Sequence, residues 1–216
     1  MGWIIGIVAA LALIAFLYWQ LILAEGAYLG RRVVILLYDW SARVYDRIKG
    51  YSPGYEQWFL GLPLSQALAD HPDPLILDVA TGTARLARTL FQQAGFRGRL
   101  IGLDLSRKML QQAAQETGAW ANRITLIRQD ASQLPFPDAT FDAVVCLEAL
   151  EFMPDPDQVL REMVRVLCPG GVFLITNRIG KDARWLPGRT YKPEAFEARL
   201  RALPLEMVRT KLWQED

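Results

Sequence analysis

From Leu75 to Thr176 the chain alternates short apolar runs with amphipathic stretches, and this alternation leaves few architectures open. The runs LILDVA (75–80), RLIGLD (99–104), ITLIRQD (124–130), FDAVVCLEAL (141–150) and GVFLIT (171–176) have the length and composition of buried strands, the fourth running on into a loop. Between them, residues 83–94, 106–118 and 156–167 have helical length. Ser106 is a good N-cap for the second, Asp155 caps the third, and CPGG stops it. Strands separated by single helices pair in parallel, and strands apolar throughout must be covered on both faces. The expectation is therefore an α/β fold with a doubly wound, mostly parallel sheet. Before it, the turn YSPGY leads into a helix over 56–69. After it come a helix over 193–202 and a last strand-like run, LEMVRTKLW (205–213).

The N-terminus follows another rule. Residues 3–24 read WIIGIVAALALIAFLYWQLILA, with Gln20 the only strongly polar side chain. Twenty-two helical residues span about 33 Å, the thickness of a bilayer's hydrocarbon core. Trp3 at one end and Tyr18, Trp19 and Tyr28 at the other resemble two interfacial aromatic belts. A cleaved signal peptide is the alternative, but no Lys or Arg precedes the run and no small-x-small site clearly follows it. All 24 basic residues lie at or after Arg31, which puts the C-terminal side in the cytoplasm by the positive-inside rule. The expectation is a single-pass membrane protein in three parts: an anchor over 1–30, juxtamembrane and lid helices over 31–72, and a ligand-binding domain over 73–216. The short apolar run 33–37 (VVILL) is expected to be an interfacial or docking helix, with Arg31, Arg32, Arg43, Arg47 and Lys49 available to anionic headgroups. Ordinary packing onto the domain is the other reading of that run.

Composition excludes several chemistries. A net charge of +1 provides no basic field for nucleic acid. One histidine, His71, and two cysteines without a CxxC make a multi-histidine metal site impossible and a histidine triad unpromising, so no metal is expected. Cys146 and Cys168 have no flanking base and read as core thiols.

In a doubly wound sheet, ligands bind beyond the carboxyl ends of the strands. Strand one ends in Asp78-Val79-Ala80-Thr81-Gly82-Thr83-Ala84, small residues that let a ligand approach the backbone before a helix N-terminus. Strand two ends in Asp104, able to accept from both hydroxyls of a ribose. Strand three ends in Asp130-Ala131, where a carboxylate can accept from a base's exocyclic amine. The same residues could instead be strand-end caps, and NAD-binding domains and nucleoside-type methyl donors fit them equally.

Residues 134–177, LPFPDATFDAVVCLEALEFMPDPDQVLREMVRVLCPGGVFLITN, resemble the second half of class I S-adenosylmethionine-dependent methyltransferases, especially the quinone-biosynthesis C-methyltransferase group. The resemblance extends over residues 38 to about 213. It implies a Rossmann-like, seven-stranded fold with S-adenosylmethionine across the ends of strands one to four. Carried over by position, Asp78, Ala80, Gly82 and Thr83 surround the methionine moiety and Asp104 holds the ribose. Leu105 packs beside the adenine, Asp130 and Ala131 read its edge, and Cys146 and Leu147 line the pocket near the sulfonium. Tyr38-Asp39 and Tyr45-Asp46 resemble the segment that closes over the cofactor, where Tyr38 and Tyr45 could meet the sulfonium by cation–π attraction.

Two features depart from the family pattern. Ala80 and Ala84 stand where glycine is usual, and alanine serves there only with φ below zero or with the ligand slightly farther off. Asp216 follows directly on the expected sixth strand, so either the chain is truncated or the sheet has six strands.

Methyl transfer is an in-line displacement that needs orientation more than a catalytic constellation. For a proton that must leave, Glu148 and Glu151 are the candidates. If helical, their i, i+3 spacing shares a face, and repulsion raises one pKa; solvated loop residues are the alternative. Nine basic and four acidic residues between Arg178 and Lys211, with Trp185 and Trp213 among or beside them, form either a membrane-facing surface or a solvated face. An anchored domain suits a small lipophilic acceptor drawn from the bilayer. The alternatives are an NAD-dependent oxidoreductase, disfavoured because residues 80–85 lack G-x-G-x-x-G spacing and no Tyr-x-x-x-Lys occurs, and a non-catalytic tethered nucleoside-binding module.

Overall fold

The structure is a computed structural model that describes residues 1–213. Helix α1 (Gly2–Tyr18) runs on through a π-helical turn, Trp19–Leu23, giving one 22-residue apolar helix long enough to cross a membrane and mostly exposed on the protein. Gln20, the polar exception, is buried where this helix meets the domain. Then come α2 (Arg31–Ser41), α3 (Tyr45–Lys49), α4 (Pro53–Glu56), a second π turn and α5 (Leu62–Ala67), the last three fulfilling the helix expected over 56–69.

Five parallel strands follow: β1 (Leu75–Val79), β2 (Arg99–Asp104), β3 (Ile124–Arg128), β4 (Phe141–Cys146) and β5 (Leu167–Ile175), in the order β3-β2-β1-β4-β5. The connecting helices are α6 (Arg85–Phe91), α7 (Arg107–Glu116) and α8 (Pro156–Val166); α9 (Gly180–Ala183) and α10 (Pro193–Arg201) complete the set. The two expected caps are made: the Met109 N–H donates to Ser106 and the Gln158 N–H to Asp155.

Strand alternation divides the core between the two faces of the sheet. Ile76, Ala143 and Val145 pack with Leu86 and Leu90 of α6 and Leu64 of α5. Leu77, Val79, Val144 and Cys146 pack with Val159, Met163 and Val166 of α8. Each such aliphatic side chain contributes about 2 kcal/mol by leaving water. The sheet is thus doubly wound, as expected.

The Cys168-Pro169-Gly170-Gly171 turn lies within β5 as a bulge, because Phe141 pairs with Leu167 while Ala143 pairs with Val172. Both glycines are required. Gly170 has φ +76°, and a Cβ on Gly171 would come within 2.9 Å of the Asp142 carbonyl oxygen.

The strand expected over 205–213 is not formed, so among the described residues the sheet has five strands, fewer than the six or seven expected. The segment packs through Val208 and Trp213 while Met207 and Leu212 are exposed. That spacing lacks the period of two that a half-buried strand needs.

Candidate active site

Register brings the site together. Val79 lies opposite both Leu103 and Cys146, so the next residues, Ala80, Asp104 and Leu147, end three neighbouring strands in one row. Strand order reverses at β1, which makes this the switch point at which open α/β sheets bind ligands. A cavity of about 290 Å³ opens there, near the lower size of small-ligand pockets. Ala80, Gly82, Asp104, Leu105, Asp130, Ala131, Leu147, Glu148, Tyr38 and Tyr45 line it. A recess of about 30 Å³ adjoins it through Ala80, Gly82, Tyr45 and Leu147, and adds Asp78 and Thr83 to the wall.

Helices α2 and α3 roof the cavity. Val34, Ile35 and Tyr38 face into it, and two acids tie the roof down. Asp39 accepts from the Ser106 hydroxyl (2.5 Å) and the Lys108 N–H (3.0 Å) at the start of α7. Asp46 accepts from the Thr83 hydroxyl (2.5 Å) and from Arg88 of α6. Arg31, expected at lipid headgroups, instead pairs with Asp130 at the cavity's edge. Lys49, from the same expected set, pairs with Glu25 (3.3 Å).

Asp104 is half-buried, and desolvation pushes its carboxyl above the usual range although it accepts from the Gly82 (3.0 Å) and Ser106 (2.8 Å) N–H groups. The Leu105 N–H adds a third backbone donor, and the remaining acceptor capacity of the carboxylate is left for a ligand hydroxyl. Burial pushes Asp78 up to about 7, with Asp104 adding to it and the Thr81 hydroxyl (2.6 Å) and Arg85 opposing. Burial also works against the charge on Asp130, but Ser132 and Arg31 outweigh it and hold that carboxyl below its usual range. Tyr38 and Tyr45 are driven well above the usual phenol range, mainly by burial, so both are neutral hydroxyls and not bases. Their rings lie 5.6 Å apart, and Phe152 stands edge-on to Tyr38 at 5.9 Å.

Four expectations need correction. Cys146 lines neither recess: as the last residue of β4 its side chain alternates into the α8-side core, fully buried, and burial raises its thiol pKa. Glu148 and Glu151 do not share a helical face. Glu148 has φ +51° and precedes the 3₁₀ turn Leu150–Phe152. Its carboxylate accepts from Arg85 (2.6 Å) on the cavity wall, whereas Glu151 is buried beside Arg178 (2.9 Å) and reaches neither recess. The Glu151 carboxyl is raised, but chiefly by burial; the charge of Glu148 is a minor contribution. Ala80 (φ +57°) and Ala84 (φ +62°) both adopt the left-handed conformation, so the condition of negative φ is not met. Each alanine bears roughly 1–2 kcal/mol of strain there.

Residues 77–175, from β1 to the end of β5, match the family described as "Methyltransferase domain". The match takes in the sheet and its connecting helices, so over these residues the chain is similar to a methyltransferase domain. The demethylmenaquinone methyltransferase of Deinococcus radiodurans is 40% identical over 124 residues, covering 57% of this chain and 51% of that one. This chain spans about half the length, 40% to 51%, of the curated relatives it matches first. Among solved structures, a S-adenosylmethionine-dependent methyltransferase from Aquifex aeolicus superposes with a TM-score of 0.58 at 18% identity, over 79% of this chain and 90% of that one, a likeness of fold. The [4+2]-cyclase SpnF superposes with a TM-score of 0.57 at 29% identity, over 66% and 54%. The fold is thus the Rossmann-like one of S-adenosylmethionine-dependent methyltransferases.

At the start of α6, Arg85 was not singled out by sequence. It is buried, with a bidentate pair to Glu56 (2.7 and 2.6 Å), and its guanidinium stacks 3.8 Å from the Tyr51 ring centroid and 4.6 Å from that of Trp213. A cation opening a helix opposes the macrodipole, and that was the legible signal that it must be paired. Arg178, just beyond β5, likewise joins Glu151 to Glu25 (3.4 Å), and Glu25 also accepts from the Tyr38 hydroxyl (2.8 Å). Downstream, the charged segment from Arg178 clamps the C-terminal end of the N-terminal apolar helix and the residues after it. Trp19 donates to the Trp185 carbonyl (3.0 Å), Tyr28 to that of Pro187 (2.7 Å), and Arg189 to that of Ala27 (2.9 Å).

Proposed function

We propose that this chain is a single-pass, membrane-anchored S-adenosylmethionine-dependent methyltransferase with its catalytic domain in the cytoplasm and a small lipophilic acceptor of the prenylated quinol class. The observation that carries this reading is the row Ala80, Asp104 and Leu147 opening onto a cavity whose roof, α2, follows directly on the membrane-length helix. Similarity to demethylmenaquinone methyltransferases supports the acceptor class.

The residues present fit the donor. The apolar wall around Leu105 and Ala131 suits a base, Asp104 a ribose, Asp130 the base edge, and the recess at Asp78, Gly82 and Thr83 the amino-acid end. When bound, S-adenosylmethionine supplies an electrophilic methyl group. The chain's own residues then orient and dry the site. Asp39 and Asp46 hold the roof closed, and the neutral Tyr38 and Tyr45 present ring faces that favour a cation. Glu148 is the carboxylate on the cavity wall able to take a proton from an acceptor hydroxyl, with Arg85 fixing its orientation. Glu151 is a positioning group for Arg178.

The test is methyl transfer by the full chain in vesicles, supplied with methyl-tritiated donor and a demethylated prenyl naphthoquinol. Tritium in the organic extract, lost with Asp104→Asn, is the expected result. Counts that stay with the donor would overturn the reading. One alternative, a tethered nucleoside-binding module without transfer, draws support from the left-handed Ala80 and Ala84; donor binding without any tritium transfer would favour it.

A further inference from the structure

Helices α2 and α3 carry two faces with opposite fates. One lines the cavity through Val34, Ile35 and Tyr38 and docks through Asp39 and Asp46. On the other, Leu36 and Trp40 stand four residues apart on α2, at 66% and 82% exposure. Val44 and Ile48 stand four apart at α3, linked by the Ile48 N–H to Val44 carbonyl bond, at 41% and 67%. These two i, i+4 pairs, on helices joined by the turn at 42–44, concentrate four large exposed apolar side chains in a 13-residue segment, not scattered exposure. Arg32, Arg43 and Arg47 are exposed beside it and have no ion pair among the described residues, whereas the inward Arg31 and Lys49 are both paired. Cations left over next to unburied apolar side chains are the composition of an interfacial helix.

We propose that this outer face of α2 and α3 is seated in the headgroup layer of the membrane that α1 spans, with Arg32, Arg43 and Arg47 on anionic phosphates. Two observations select a bilayer over another occupant. The segment is continuous with the apolar helix, separated from it by residues 24–30 alone, and Glu25 ties that junction to Tyr38 and Lys49 on the roof itself. The partnerless charges are all positive, which complements an anionic surface. The cavity's roof is then the membrane-seated element, so an acceptor dissolved in the lipid meets the site at the edge of α2. This deepens the anchored-methyltransferase reading and rests on its anchor, not on its chemistry.

The experiment uses the full chain with Cys168→Ser, reconstituted in nanodiscs containing about one-third phosphatidylglycerol. Single nitroxide labels are placed at Leu36→Cys, Ile48→Cys, Ile7→Cys in the anchor and Glu194→Cys on α10, and their collision rates with oxygen and with a water-soluble nickel chelate are compared. The labels at 36 and 48 should be shielded from nickel at least threefold relative to 194. That shielding should fall when Arg32, Arg43 and Arg47 are all changed to Gln. Nickel access at 36 and 48 equal to that at 194, with 7 still lipid-exposed, overturns this inference and leaves the anchor standing. Water-like collisions at 7 as well defeat both. Dipolar broadening between Leu36→Cys labels that disappears on dilution with unlabelled chain would assign the face to a second copy and also overturn the proposal.

Discussion

Ala80 and Ala84 share an unfavourable backbone conformation but differ in what their methyl groups do. Ala84 is fully buried in the α6-side core, so Ala84→Gly relieves strain while losing about 0.8 kcal/mol of burial, and little net change in stability is expected. Ala80 is only partly buried and borders both recesses. Ala80→Gly should stabilise the chain by roughly 0.5–1 kcal/mol, after the entropic cost of glycine. It should also tighten donor binding, since a ligand can then approach the backbone; thermal melts and titrations of both variants check this. Asp78 gives a pH signature. Its folded carboxyl is raised from 3.8 to about 7, so its protonated form favours the fold, and that contribution is lost as pH rises toward 7. A cationic ammonium beside it requires the carboxylate, so donor binding must expel the proton at lower pH. Affinity should therefore rise about tenfold from about pH 5 to about pH 6 and level off above about pH 7.5, with Asp78→Asn removing the slope. A flat profile for the unaltered chain would place the amino-acid end elsewhere.

At the scale of elements, the N-terminal turn of α6 depends on a cation that is buried and fully engaged. Arg85→Met leaves Glu56 buried without its bidentate partner and should destabilise the domain by about 3–5 kcal/mol in denaturant unfolding. The paired change Arg85→Met with Glu56→Leu should recover much of that loss. The sheet and its helices were legible in the sequence because apolar runs and the Ser106 and Asp155 caps speak locally; CPGG, expected to stop a helix ahead of the fifth strand, instead lies inside β5. The tail after α10 was not. Its apolar residues allowed a strand, but no neighbouring edge takes one, and contacts five residues apart decided the outcome. The site divides in the same way. Asp104, Asp130 and Ala131 follow the ends of strands that the apolar runs mark, so position placed them at the cavity, and the family resemblance added Leu105. Cys146 ends a strand too, but a period of two turned it into the core. Glu148, Glu151, Arg85 and Arg178 owe their geometry to partners far away in the chain, to which periodicity is blind.

Across the whole molecule, one acidic residue joins the end of the N-terminal apolar helix to the roof and to the far side of the site. Glu25 accepts from Tyr38, Lys49 and Arg178, and although burial opposes its charge, Lys49 and Arg178 hold its carboxyl below the ordinary 4.5. Its folded pKa is lowered, so its contribution is present above the ordinary value and is lost as pH falls through the lowered one. Glu25→Gln should therefore speed amide exchange in α2 and α3 at neutral pH while leaving β1 and β4 protected. Uniform protection would show that the roof is held by Asp39 and Asp46 alone. The arrangement puts a cavity of about 290 Å³ under a roof that Glu25 ties to the end of the N-terminal apolar helix. Calorimetry on the detergent-solubilised full chain decides whether Asp104 grips the sugar of S-adenosylmethionine. Expected are binding of S-adenosylmethionine, no heat with NADH, and at least about a hundredfold loss, about 2.7 kcal/mol, with Asp104→Asn. Binding of NADH instead, or an Asp104→Asn affinity within about threefold of the unaltered chain, would contradict it.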